Sequence, residues 1–158
     1  MKTLTCDLRA AVESFFDRCN FLCRVGGLSD DFFYDPNTEE IYYSPLVVEE
    51  RDKVFYDNFN RDLPSPVSLF MVSLLHEVGH YYTEHLITKW EWREYRLFNK
   101  FSSFLPRRVR QKIYYNLRVE RLATLWAKMT ALNLQEEIAD AEKIFFNIFK
   151  DFKERNGL

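Results

Sequence analysis

The chain contains only three histidines, and two of them stand in the stretch His76-Glu77-Val78-Gly79-His80. On a helix, residues four apart share a face, with Cβ atoms about 6 Å apart. Two imidazoles at that spacing can share one metal ion, and zinc accepts imidazole nitrogen at about 2.0–2.1 Å. Glu77 lies about 100° around the helix from His76, close to such an ion without having to ligate it. A general base belongs there, because zinc lowers the pKa of a water it binds to about 7 and a base must then remove a proton. The spacing is a mechanical requirement of metal-assisted hydrolysis.

A catalytic zinc takes three protein ligands and keeps one position open. His85 follows His80 by five residues, which turns it about 140° away on the same helix. The third ligand is then expected to be an acid from Glu84, Glu91, Glu94 or Glu120. Glu84 lies one turn beyond His80 on the same helix, and Glu91 and Glu94 come too soon after a required turn to reach back. Glu120 is the favoured choice. It sits in a long helical stretch beside Leu117, Ala123, Thr124 and Ala127, uncharged neighbours within an otherwise basic segment. A carboxylate on an interior face needs a partner, and a metal is a good one. The competing reading is an ion pair with Arg118 or Arg121.

These residues must be carried by a mostly helical α+β domain. Helical spacing of Leu8, Val12, Phe15, Phe16, Cys19 and Leu22 predicts a first helix over residues 4–25, ended by Gly26 and Gly27. Two aromatic and β-branched runs, 32–34 and 41–43, flank Asp35-Pro36-Asn37-Thr38 and predict a β-hairpin. A short amphipathic helix is expected over 46–60, with Val47, Val48 and the Arg51 stem on its apolar side. Ser65 as N-cap and Pro66 at the first position open a buried helix over 66–87. Further helices are expected over 89–104 and 107–132. Asn133 and Glu136 form an N-cap pair for a C-terminal packing helix over 134–156.

Composition bounds the function class. At 158 residues with 47% hydrophobic residues, one domain with a real core is expected. A net charge of −2 argues against a globally basic nucleic-acid binder. Three cysteines, Cys6, Cys19 and Cys23, form neither a disulfide framework nor a Cys-x-x-Cys pair, and read as small packing residues in a reducing compartment. The most apolar run, 67–75, is too short to span a bilayer. No membrane partner and a cytoplasmic location are expected.

Taken together, His76-Glu77-x-x-His80 followed by Glu120-x-x-Ala123 resembles the zincin metallopeptidases whose third ligand is glutamate. Within that group, Glu120-Arg121-Leu122-Ala123-Thr124-Leu125-Trp126-Ala127 is similar to the E-x-E-A-N-x-F-A segment of the ImmA/IrrE-type regulatory peptidases, and His76–His80 to their HExGH form. Leu122 stands at the family's second acid and Thr124 at its Asn or Asp. The 89–104 segment lengthens the gap between the two motifs.

The resemblance implies a single zincin-like domain over 1–158, with a small N-terminal β-hairpin or sheet packed on the buried HExxH helix. It implies Zn2+ held by His76, His80 and Glu120, with Glu77 as general base, in a zinc-dependent endopeptidase whose substrate is a peptide or protein, a regulatory protein included. Tyr81, Tyr82, Tyr114, Tyr115 and His85 are the candidates for stabilising the oxyanion, and strand 40–44 is the expected edge for an extended substrate. Two alternatives stand beside this reading. One is a catalytically inactive binding protein on the same scaffold with a structural zinc. The other is a nucleic-acid-associated factor using the basic segment 100–121, a less favoured reading because such runs are usually solvated helix faces.

Overall fold

The computed structural model describes residues 2–45 and 49–156, and the side chains of 6–45 and 53–155. The chain is mostly helical with one small sheet. Helix α1 (Lys2–Arg18) leads into β1 (Arg24–Leu28), β2 (Phe33–Asp35) and β3 (Glu40–Tyr43). Then follow α2 (Glu49–Asn60), α3 (Leu69–Thr83), α4 (Lys89–Phe101), α5 (Arg107–Tyr114), α6 (Arg118–Asn133) and α7 (Gln135–Asn156). Short 3-10 turns, Glu84–Leu86 and Ser102–Phe104, follow α3 and α4. The expected apolar contributions of Val47, Val48 and Arg51 fall outside the described side chains.

Helix α1 ends well before the glycines. Asn20 adopts φ 55°, and the Phe21 N–H bonds back to the Phe16 carbonyl at 2.9 Å, a left-handed helix stop. Gly26 and Gly27 lie instead within β1, at a bulge between Val25 and Gly27. A Cβ on Gly26 would lie 2.6 Å from the Tyr42 ring, so this position needs glycine for a close approach.

The hairpin forms as expected, with Phe33, Tyr34 and Asp35 opposite Tyr42, Ile41 and Glu40. The sheet has a third member that the sequence reading lacks, because β1 pairs with β3 in parallel and gives the order β1-β3-β2. Strand β3 is therefore central. The expectation that 40–44 forms the open edge is wrong, and β2 and β1 are the edges.

The start of α3 also differs. Ser68, not Ser65, is the N-cap, its hydroxyl accepting the Met71 N–H at 3.2 Å. Asn60 holds the approach in place: its side chain accepts the Val67 N–H at 2.7 Å and donates to the Val67 carbonyl at 3.2 Å. From Leu69 to Leu75 every residue except Ser73 is buried, as befits a central helix apolar on all sides. Sheet strands β2 and β3 pack on one side of α3, and α6 packs on another. Ile41 and Tyr43, the α3 side chains Met71, Leu74 and Val78, and Phe15 and Phe16 of α1 form the core with Ile138 and Phe145 of α7.

Helix α6 presents Ala123, Ala127 and Ala131 at four-residue intervals, all buried. This small-residue face admits α3 closely. The expected continuous helix over 107–132 is broken at Tyr115–Leu117, so Glu120 lies in the first turn of α6 and not in mid-helix. Asn133 remains inside α6 and caps nothing for α7. Among the described residues, no helix is long and apolar enough to cross a membrane.

Candidate metal centre

Two helices supply the site. Helix α3 carries His76, Glu77 and His80, and its packed contact with α6 brings Glu120 across from them. Nε2 of His76 lies 2.9 Å from Oε2 of Glu120, and Nε2 of His80 lies 3.6 Å from Oε1. The rings of His76 and His80 have centroids 4.7 Å apart. One ligand atom from each of the three residues can be chosen so that all lie within 4.8 Å of one another. His76 and Glu120 are buried, Glu120 to 1% exposure, and His80 is nearly so. This buried group can hold a metal ion.

Oε1 of Glu120 is a test of that fit. It is fully buried, and among the described residues it makes no hydrogen bond, although Tyr114 comes close enough to Glu120 to favour its charged form. A buried carboxylate oxygen without a partner costs about 1–3 kcal/mol or more. A cation between the two imidazoles and this oxygen would remove that cost, and a site of two nitrogens and one carboxylate suits a divalent transition metal.

The electrostatics follow from burial and close pairing. Burial works to lower the His76 pKa, but the hydrogen bond and charge of Glu120 outweigh it and raise it. Burial works to raise Glu120, and the His76 hydrogen bond together with the two imidazoles holds it below the usual carboxylate range. His80 is pushed down to about 4 by burial and by the neighbouring His76. Glu77 is pushed up to about 7, chiefly by burial, while the Tyr34 backbone hydrogen bond opposes the rise. Strand β2 packs on α3 on the side of this acid.

Residues around the ligands fix them. Thr124, one turn after Glu120, places its hydroxyl 3.1 Å from Nδ1 of His76 and donates to the Glu120 carbonyl at 2.9 Å. Phe55 of α2 packs edge-on against the His76 ring at 5.3 Å. Tyr114 favours the charged form of Glu120, and its hydroxyl lies 3.5 Å from that of Tyr95 on α4.

The other acids are engaged elsewhere. Glu84 accepts the Tyr34 hydroxyl at 2.6 Å. Glu91 completes a capping box with Thr88 and pairs with Arg118 at 2.9 Å. Glu94 and His85 are exposed. Arg118 thus pairs with Glu91, and Glu120 faces the histidines. Of the tyrosines considered, Tyr82 stacks on Trp126 and receives the Leu22 N–H, Tyr81 packs on Tyr34, and Tyr115 stacks on Phe55. Tyr114 is the one that reaches the carboxylate side of the site.

Sequence reasoning missed Tyr95 and the role of Thr124. The Thr124 contact was available from spacing, since four residues separate it from Glu120 on one helix face. Tyr95 was not, because its place depends on how α4 folds back over α6.

The three free cysteines lie apart from this cluster. Cys23 is buried, Cys19 partly buried and Cys6 exposed, so packing explains two of them. Burial pushes the Cys19 and Cys23 thiols up to about 12. No protein-family model, curated protein or solved structure matches this chain.

Proposed function

We propose that this chain is a zinc-dependent peptidase with a zincin-like arrangement, in which His76, His80 and Glu120 hold the metal and Glu77 is the general base. The observation that carries the reading is the unpartnered Oε1 of Glu120, buried opposite two imidazoles on a helix that also presents Glu77. A central helix with a sheet on one side and a glutamate-bearing helix on another supports the zincin-like part of the reading. Bound zinc supplies Lewis-acid polarisation of a scissile carbonyl and makes water more acidic.

The chain's own residues do the rest. Glu77, half-buried and next to His76 on the same helix, is placed to accept a water proton and return it to the leaving amine. The Tyr34 backbone, on the strand that packs against α3, favours the charged form of its carboxylate. Tyr114, which favours the charged form of Glu120, and Tyr95, whose hydroxyl lies 3.5 Å from that of Tyr114, are the residues we assign to oxyanion stabilisation. Strand β2, the sheet edge that packs on α3, is where an extended peptide would add a strand.

The experiment measures zinc per chain and hydrolysis of an unfolded protein substrate for the wild type, Glu77→Gln and Glu120→Ala. Glu77→Gln should keep its zinc and lose hydrolysis, and Glu120→Ala should lose most of the zinc. Equal hydrolysis by wild type and Glu77→Gln would sink the peptidase mechanism. A second reading, a metal kept for structure alone, draws on the low exposure of His76 and Glu120. It predicts zinc at one per chain with no hydrolysis by any form.

A further inference from the structure

Helices α4 and α5 are amphipathic, yet neither has a buried residue. Their apolar side chains instead form an exposed face. Phe104 is 79% exposed, Trp90 75% and Phe101 54%, and Leu97, Val109 and Ile113 are exposed beside them. Trp90, Leu97 and Phe101 fall along one stripe of α4, which also carries the exposed Glu94. Phe104 stands in the turn between the two helices. Between the helices runs a wide, shallow depression of about 750 Å³. Monomeric proteins seldom leave so many large apolar side chains of two neighbouring helices to water unless something covers them.

Charge says what covers it. Residues 89–117 carry eight Lys and Arg against two Glu, a net +6 in a chain of net −2, so the other residues sum to −8. The cations sit among the aromatics: Arg93 lies over the Trp90 ring at 5.4 Å and Lys100 over Phe101 at 5.3 Å. A second copy of the same face would meet like charge. A nucleic acid would satisfy the cations, and Trp and Phe could stack on bases, but Leu97, Val109 and Ile113 offer no stacking. An anionic lipid surface satisfies both halves, with phosphates for Lys and Arg and the acyl boundary for Trp, Phe and the aliphatics. The shallow form of the face and the outward projection of its most apolar residues suit a planar surface better than a peptide groove.

We propose that the α4–α5 face is a peripheral docking surface for an anionic phospholipid membrane. Trp90, Phe101 and Phe104 enter the headgroup boundary, while Arg93, Lys100, Arg108, Arg110 and Lys112 meet phosphate. The face does not span the bilayer. The expectation of no membrane partner rested on spanning length, which does not bear on surface binding.

The test sediments the full chain with vesicles of phosphatidylglycerol and phosphatidylcholine in equal parts, and with vesicles of phosphatidylcholine alone. Binding to the mixed vesicles is expected to be at least about tenfold stronger, and to weaken as salt rises. A Trp90→Ser, Phe101→Ser, Phe104→Ser variant should lose about tenfold or more, as should Arg108→Glu with Arg110→Glu and Lys112→Glu. All six side chains lie at or near the surface, and circular dichroism checks that each variant folds. Three results would overturn the proposal: no binding to the mixed vesicles, variants that bind like the wild type, or tighter binding to a single-stranded oligonucleotide or to an acidic peptide than to the vesicles. Zinc content and hydrolysis are independent of all of these outcomes.

Discussion

The Thr124 hydroxyl bridges the two helices of the candidate metal centre, lying 3.1 Å from Nδ1 of His76 and donating to the Glu120 carbonyl at 2.9 Å. A hydroxyl has one proton to give. With that proton committed to the carbonyl, Thr124 must accept from Nδ1–H, and the ring is held with Nε2 toward Glu120. A metal-ligating histidine is usually oriented through its other nitrogen in this way. Thr124 thus fixes the His76 ring through the nitrogen that faces away from Glu120.

Thr124→Val removes the hydroxyl with little change of shape. Metal affinity should fall about tenfold to a hundredfold, while Thr124→Ser keeps most of it. Competition against a fluorescent chelator reads both. Equal affinity in Thr124→Val and the wild type would show that packing against Phe55 alone orients His76.

Metal binding should release a proton from His76. In the metal-free site its Nε2 meets the Glu120 carboxylate at 2.9 Å and its Nδ1 meets Thr124, so both ring nitrogens are placed to donate. The raised pKa agrees with that arrangement. At pH 6.5 His76 is then more than half protonated, whereas His80, at about 4, is already neutral, and Glu120 is ionised. Proton and metal compete for Nε2, so affinity should rise with pH through the His76 pKa and weaken below it. Calorimetry in buffers of different ionisation heat should find more than about half a proton released at pH 6.5. Glu77→Gln should still release the His76 proton, and the fall in release relative to the wild type reads the share of the nearby acid at about 7. A binding heat independent of buffer would refute the assignment.

The helix that carries the histidines was legible because its residues are apolar on nearly every side, and the burial of Glu120 because small side chains surround the acid. What was not legible depended on distant pairing. Arg24-Val25-Gly26-Gly27-Leu28 has the composition of a helix stop, and only its parallel register with β3 makes it a strand. The missing strand then moved the sheet edge from β3 to β2. The break at Tyr115–Leu117 has no proline or glycine to mark it, and Leu117 caps α6 without any side-chain bond. The exposed face of α4 and α5 had a periodic pattern, but periodicity does not say whether an apolar stripe will be covered.

Glu91→Ala should leave the metal in place. Its carboxylate accepts the Thr88 N–H at 2.8 Å and pairs with Arg118, so it is committed at the start of α4. Loss of this half of the capping box should cost about 1 kcal/mol of stability, read as a small drop in denaturation midpoint. Loss of metal from this variant, with metal retained in Glu120→Ala, would reassign the third ligand.

Gly79→Ala separates two opposing effects. Alanine in place of a mid-helix glycine stabilises by about 1 kcal/mol on propensity alone. At this position, however, a Cβ would lie 2.4 Å from the Ala123 carbonyl oxygen and 3.0 Å from its carbonyl carbon and Cα. All three are backbone atoms of α6, so no side-chain rotation relieves the contact, and Ala123→Gly would not relieve it either. The helices must move apart, and overpacking of this kind costs about 1–3 kcal/mol. Because His76 and His80 ride on α3 and Glu120 on α6, the same displacement lengthens both histidine–glutamate distances. Gly79→Ala should therefore lower the melting temperature and weaken metal binding together. A raised melting temperature with unchanged metal affinity would mean that the α3–α6 spacing does not set the site.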